Sequence, residues 1–332
     1  MSRGITCPAD GTAALRVIVD TELSLGAPGS EIDDGLALAM VVADPRFDLQ
    51  AVTTVSGNVD AASAAHLVLD LLARLGVSDV VVATGAMSSL CDPVVRRPSV
   101  VTTASRLPGG DPGSTDRYAA AEIARRVVAA PGEITVIALG PLTNLAVAIN
   151  LEPRFVGAVK EIVVMGGTYF NDLSWGSLPS EFNFWLDPEA ARVVLNSGAK
   201  VRLVGLNVTT QVQLSSAEVH KLRSEGGNFA QYVSTHVQAW IDRLAADYPG
   251  DPYTGDSCSL HDPLAVTAVS RPDLLEWRDA YVQIVTHDPI GRGVAVVDRL
   301  ETPDGRTPNC SVAVGVNAHS VREYILRLIK SL

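Results

Sequence analysis

Between Arg16 and Val204, six short apolar runs alternate with longer stretches of helical periodicity. That order is the mark of a βαβ series built on a mainly parallel sheet. The runs Arg16–Asp20, Leu49–Val55, Val80–Thr84, Ile134–Leu139, Glu161–Met165 and Val201–Val204 read as strands. Asp33–Ala43, Ala61–Leu75, Tyr118–Ala129, Leu142–Ile149, Pro188–Asn196 and Ser215–Arg223 read as helices. After Gly205 the alternation stops. Phe229–Tyr248 reads as a long helix, Pro249–Leu260 as a loop rich in Gly, Pro, Asp and Tyr, and His261 as the start of another helix. Antiparallel strands at Ala280–Thr286, Gly293–Asp298 and Ser311–Val316 and a helix over Ser320–Leu332 complete the chain. The expectation is an α/β fold with a Rossmann-like core, in which helices flank a mainly parallel central sheet. Residues 15–332 are expected to form one domain with a helical cap near 206–260, behind a loose tail over 1–14.

An apolar fraction of 47% over 332 residues supports a full core. The net charge of −11 argues against a nucleic-acid partner, because phosphate binding draws on clustered Lys and Arg. A ligand without phosphate suits an acidic pocket better. Cys7, Cys91, Cys258 and Cys310 show no C-x-x-C pairing and read as reduced thiols. No apolar run is long enough to span a bilayer, so no membrane partner is expected. The opening MSRGITCPADGTAA has no apolar signal-peptide centre, which places the expectation in the cytoplasm.

The densest chemistry lies in V-I-V-D-T-E-L-S-L-G-A-P-G-S-E-I-D-D-G-L-A-L, Val17–Leu38. An apolar strand ends in Asp20 and Glu22, a Gly/Pro/Ser turn follows, and Glu31, Asp33 and Asp34 stand at a helix start. In open α/β sheets ligands bind beyond the carboxyl ends of the strands, where these acids fall. So many like charges repel unless a cation joins them, and a helix N-terminus supplies only about half a charge. A hard divalent ion with oxygen ligands answers the need.

Further polar segments follow other strands: T-V-S-G-N at Thr54–Asn58, G-P-L-T-N at Gly140–Asn144, and G-G-T-Y-F-N-D-L-S-W-G-S-L-P-S-E-F-N at Gly166–Asn183. Downstream, L-H-D-P-L-A-V at Leu260–Val266 places an imidazole and an acid at a helix start. Taken singly, each is an ordinary turn or helix cap. Long loops at Met87–Arg117 and Asn171–Glu181 are candidates for a cover over the site.

Taken together, in this order, these segments make the chain resemble the inosine–uridine nucleoside hydrolase family from about Val17 to the C-terminus. G-P-L-T-N-L-A, E-F-N-F-W-L-D-P-E-A-A and H-D-P-L-A-V carry the likeness most strongly. The resemblance implies the nucleoside hydrolase fold, a Ca²⁺ ion at the base of the pocket, a small-molecule nucleoside substrate and a homodimer or homotetramer. Carried over by position, the calcium ligands are Glu22, Asp34, the carbonyl of Thr143 and Asp262. The resemblance places Asp33, Asn58, Glu181 and Asn183 on the sugar and the attacking water, and His261 near the leaving base.

The implied reaction is hydrolysis of an N-glycosidic bond, which builds positive charge on the sugar. Carboxylates aimed at that charge stabilise it. In the family the acid at the place of Glu22 takes the proton of the attacking water, so the implied catalytic set is Glu22, Asp33 and His261. Because water attacks directly, no covalent intermediate is expected.

The motif is broken in three places. Glu22 stands where the family has Asp, and ten residues separate it from Asp33. The extra methylene moves its carboxylate by about 1.5 Å, enough to disturb a reacting geometry. Leu23–Pro28 reads as an insertion beside the metal, and Glu31 is the alternative to Glu22 as ligand or base. The loop before Glu181 places Trp175 where an Asn usually grips the ribose 5′-hydroxyl, with Asn171 the nearest amide. An indole there favours an apolar or aromatic group, hence a modified or non-standard nucleoside. Finally, Pro108–Gly113 is only a faint echo of a family glycine-rich stretch. A ligand-binding protein on an inactive hydrolase scaffold is the alternative to an enzyme.

Overall fold

The structure is a computed structural model that describes residues 13–27, 29–91, 117–169, 180–250, 254–288, 290–298 and 306–332. In chain order the elements are β1 (Leu15–Thr21), α1 (Asp33–Ala43), β2 (Phe47–Thr54), α2 (Ala61–Arg74), β3 (Val81–Thr84), α3 (Ala119–Ala129), β4 (Ile134–Ala138), α4 (Thr143–Leu151), α5 (Phe155–Ala158) and β5 (Glu161–Met165). There follow α6 (Phe182–Leu186), α7 (Pro188–Leu195), β6 (Val201–Val204), α8 (Leu206–Thr209), β7 (Gln213–Ser215), α9 (Ser216–Glu225), α10 (Asn228–Asp247) and β8 (Ser257–Ser259). The chain ends with α11 (His261–Ser270), β9 (Leu275–Ala280), β10 (Val282–Ile284), β11 (Ala295–Val297), β12 (Cys310–Val316) and α12 (Ala318–Lys330).

Eight strands form the central sheet in the order β3-β2-β1-β4-β5-β6-β12-β9. All neighbours pair in parallel except the edge strand β9, which runs antiparallel to β12. Strand order reverses between β1 and β4, the switch point at which a doubly wound sheet opens its ligand crevice. The expected α/β class and mainly parallel sheet are therefore present.

Side chains alternate across the sheet and fill two apolar layers, as period-2 geometry requires. Val17 and Val19 of β1, Ile137 of β4 and Val163 of β5 join one layer; Ile18, Val136 and Ile162 join the other. Both faces are covered, so the central strands carry apolar residues on both faces. α1 packs along α11, which brings the two acid-bearing helix starts, Asp33-Asp34 and Asp262, to one place.

Several local readings need correction. The last third is not a simple antiparallel set: β12 adds in parallel to β6, and only β9 runs against it. β10 and β11 form a separate two-stranded hairpin. The expected loop at Pro249–Leu260 contains β8, which pairs with β7. β9, α5, α6 and α8 were not anticipated. In the stretch read as an insertion, Leu23, Leu25 and Ala27 are buried in the core. Among the described residues no helix is long and apolar enough to cross a membrane. Cys91, Cys258 and Cys310 are free thiols.

Candidate active site

β1 delivers Asp20, Thr21 and Glu22 to the switch point, all of them buried. The long turn after it is tied to itself. Ser24 Oγ donates to the Glu31 carbonyl at 2.8 Å, and Ser30 Oγ donates to the carbonyls of Ser24 at 2.6 Å and Ala27 at 2.8 Å. From α10, Arg243 Nη1 donates to the Gly29 carbonyl at 2.7 Å. These bonds return the chain to α1, whose first turn carries Asp33 and Asp34.

Asp33, Asp34 and Asp262 each turn a carboxylate oxygen inward, and these oxygens lie within 4.8 Å of one another. All three side chains are buried. Asp34 Oδ1 accepts the Thr21 hydroxyl and, at 3.2 Å, the Glu22 N–H. The Asp262 N–H donates to Asp33 Oδ2 at 3.2 Å. None of the three forms a salt bridge with a Lys or Arg among the described residues. Burial first, and then the charge of Asp33, pushes the Asp34 carboxyl up to about 7. Burial, Asp33, Asp34, Glu31 and Glu22 together hold Asp262 well above the usual carboxylate range. A donor set of buried carboxylate oxygens without an internal cation suits a hard divalent ion and no soft one.

Glu22 stands beside this group rather than in it. Its Oε2 accepts the Asn58 N–H at 2.8 Å, and a β-carbon on Gly57 would fall on its carboxylate. Glycine at 57 thus makes room for the longer acid. Burial, with Asp34 and Glu31 behind it, holds Glu22 well above its ordinary range. Glu31 is close enough to act on both Glu22 and Asp262, so both candidates for the displaced acid border the cluster.

Across the crevice, Glu181 caps the five-residue α6, accepting the N–H groups of Asn183 at 2.7 Å and Phe184 at 3.1 Å. It also accepts the Gly167 N–H at 3.0 Å, which fixes it to the end of β5. Burial raises its carboxyl, and these donors oppose the shift. Asn183 Nδ2 donates to the carbonyls of Leu139 at 2.9 Å and Met165 at 3.3 Å, leaving its buried Oδ1 without a partner. An orphaned buried acceptor costs free energy unless a ligand supplies a donor.

Thr143 opens α4, its hydroxyl donating to Asp187 Oδ2 at 2.6 Å. His261 opens α11 with Nδ1 2.7 Å from Thr209 Oγ1. Burial pushes the imidazole pKa down, and Asp33 opposes that shift. Asn171 and Trp175 lie outside the described residues.

Two residues outside the implied catalytic and ligand sets hold the frame. Asp20 Oδ1 accepts Thr53 Oγ1 at 2.6 Å and Asn144 Nδ2 at 2.8 Å; Asn144 also donates to the Thr54 carbonyl at 2.9 Å. Asn144 Oδ1 accepts the Ala86 N–H at 2.9 Å, so one amide joins β1, β2, α4 and the turn after β3. Its place in G-P-L-T-N was the available signal.

Comparison with known proteins identifies the family. The description inosine-uridine preferring nucleoside hydrolase matches residues 17–323. This chain belongs to that family. It is 34% identical to uridine nucleosidase 1 of Arabidopsis thaliana over 322 residues, covering 93% of this chain and 91% of that one. It is 28% identical to a pyrimidine-specific ribonucleoside hydrolase of Salmonella arizonae, covering 96% and 99%. Among solved structures, the plant nucleoside hydrolase PpNRh1 superposes with a TM-score of 0.83 at 27% identity, covering 96% of this chain and 99% of that one. A purine-preferring ribonucleoside hydrolase from Gardnerella vaginalis superposes with a TM-score of 0.81 at 26% identity, covering 95% and 98%.

Proposed function

We propose that this nucleoside hydrolase cleaves the N-glycosidic bond of a ribonucleoside to free base and ribose, using Ca²⁺ held at the Asp33–Asp34–Asp262 cluster. The observation that carries the reading is that cluster: three buried carboxylates, gathered at the switch point with no Lys or Arg paired to them among the described residues. Asp34 and Asp262, with the Thr143 carbonyl and either Glu22 or Glu31, are the proposed ligands. When bound, such an ion lowers the pKa of a water and holds two neighbouring hydroxyls.

The chain's own groups do the rest. Glu22, or Glu31 beside it, takes the proton of the attacking water; a raised carboxyl pKa brings it nearer the operating pH, where a base works best. Asp33, Asn58 and Asn183 orient the sugar, the unpartnered Oδ1 of Asn183 accepting a hydroxyl. Glu181 presents fixed negative charge to the developing oxocarbenium ion. In the tautomer where Thr209 Oγ1 donates to His261 Nδ1, the ring proton sits on Nε2, from which it can pass to the leaving base.

Uridine is the first substrate to test, because the chain is 34% identical to a protein named uridine nucleosidase. A 5′-modified nucleoside is the second reading, favoured by Trp175 at the position where the family grips the 5′-hydroxyl. Base release from a panel of ribo-, deoxyribo- and 5′-modified nucleosides, with Ca²⁺ and after chelation, tests both readings. The proposed assembly is a homodimer or homotetramer in the cytoplasm, with no nucleic-acid or membrane partner.

A further inference from the structure

α6 is only five residues long, yet its start carries Glu181 and Asn183. A helix that short has no stability of its own in water, so its position is set by what holds it. On the inner side the hold is Asp187, which caps α7 through the Ala190 N–H at 3.0 Å and accepts Thr143 Oγ1 at 2.6 Å and the Leu90 N–H at 2.9 Å. On the outer side stands the β10–β11 hairpin, more than a hundred residues downstream and absent from every motif of the chain.

The hairpin grips α6 at three points. Ser180 Oγ, one residue before Glu181, donates to the Arg292 carbonyl at 2.7 Å. Gly293 lies flush on the α6 backbone: a β-carbon there would stand 2.6 Å from Trp185 Cα and 2.7 Å from Trp185 N. With φ at +81°, residue 293 also adopts a conformation that glycine alone takes without strain. Just past α6, the Arg292 guanidinium meets both Glu189 oxygens, at 3.0 and 3.1 Å, with the side chains 14% and 13% exposed. A bidentate pair so far from solvent has defined geometry as well as attraction. The hairpin is itself anchored, since Val282 and Ile284 are buried in the layer that also holds Phe184. Its far end closes through Gly293 N–H to the Val285 carbonyl at 2.9 Å and Val285 N–H to the Val294 carbonyl at 3.0 Å.

We propose that this hairpin is a clamp that sets the position of Glu181 and Asn183 against the sugar, with Arg292 and Ser180 as its positioning residues. The proposal rests on the reading of Glu181 and Asn183 as sugar-facing groups. Neither Arg292 nor Ser180 need touch substrate. Ser180 fixes the α6 start and the Arg292 guanidinium the stretch just past its end, while Asp187 holds that end from inside; the acid cluster on α1 and α11 is not part of the clamp.

The test compares the full-length wild type with Arg292→Ala, Arg292→Lys and Ser180→Ala by hydrogen exchange over residues 181–187, steady-state kinetics on uridine and calorimetric titration with Ca²⁺. A misplacement on the ångström scale costs up to about a hundredfold in rate, so Arg292→Ala is expected to lower kcat by about tenfold or more. Exchange over 181–187 should rise while Ca²⁺ affinity stays within about twofold of wild type, because no proposed ligand is bonded to Arg292 or Ser180. Arg292→Lys should recover part of both losses through one remaining N–H···O contact. Unchanged exchange over 181–187 in both Arg292→Ala and Ser180→Ala would overturn the clamp. So would a parallel loss of Ca²⁺ affinity and thermal stability, with kcat intact at a temperature where the variant is folded. If wild type releases no base from any nucleoside, the exchange result decides the clamp alone, and the catalytic reading fails separately.

Discussion

Leu25 lies directly against the first turn of α1: a β-carbon added at Gly35 would stand 2.5 Å from Leu25 Cβ. The long turn between Glu22 and Asp33 therefore plugs into the core, and glycine at 35 is the space it uses. Overpacking of a filled core costs typically about 1–3 kcal/mol. Gly35→Ala should destabilise by that order in denaturant unfolding and also weaken Ca²⁺ binding, because Asp33 and Asp34 share the displaced turn. In a Leu25→Gly background the β-carbon that the added methyl meets is gone, so its cost should shrink. A cost unchanged by Leu25→Gly would show that the two residues do not compete for that space.

The parts of the fold set by strong periodicity were legible from the sequence. β5 and β6 and helix α1 fall where apolar runs and helix-start acids place them, because a strand buried on both faces leaves a continuous apolar signature. β9 was missed because Leu-Glu-Trp-Arg-Asp-Ala at an antiparallel edge buries only its two end residues and so shows no alternation. α6 was missed because five residues make barely one helical turn, too few for a period to register. The acids of the site were found because charge at a strand end is anomalous, whereas Asn144 and Asp20 act through hydrogen bonds that sequence spacing does not display. The burial of Leu23, Leu25 and Ala27 was not read from the sequence, because the Gly, Pro and Ser around them point to a turn rather than to a segment that fills the core.

Removing the ion should expose the strain among the buried acids as a pH dependence. In the chelated protein Asp34 is raised from the usual 3.8 to about 7. Its unfolded state therefore loses the proton first, so the unfolded chain binds fewer protons and stability falls as pH rises between those values. Thermal unfolding of the chelated protein should thus give a Tm that declines from about pH 4 to pH 7, and saturating Ca²⁺ should abolish the decline. A Tm that is flat over this range, or equally steep with Ca²⁺, would contradict the assignment.

Glu122 behaves in the opposite sense, far from the site. Burial acts to raise its carboxyl, but hydrogen bonds and charge from Arg125 and Arg126 outweigh it and bring it from 4.5 down to about 2. The side chain is buried, with Arg117 adding a third contact at 3.2 Å. A depressed carboxyl contributes stability that is present above its unfolded value and lost as pH falls through the folded one. Glu122→Gln should therefore cost on the order of 2 kcal/mol at pH 7, discounted for the solvent around Arg117 and Arg125. The difference from wild type should close between about pH 4.5 and pH 2, read from urea midpoints across that range.

The proton-donor role proposed for His261 predicts a leaving-group dependence. A positioned proton donor contributes about 10²–10⁴ in rate, so His261→Ala should slow release of a poorly leaving natural base by that order. An aryl riboside whose leaving group needs no proton should be affected far less. Equal losses on the two substrates would assign His261 to packing against Thr209 rather than to proton donation.

The most direct test of the whole account is base release from uridine and from the wider nucleoside panel, followed chromatographically at fixed protein concentration with Ca²⁺ present and after chelation. The account predicts release of free base and ribose that stops on chelation and returns when Ca²⁺ is restored. Turnover that survives complete chelation, or Ca²⁺ and nucleoside binding without release from any member of the panel, would contradict it.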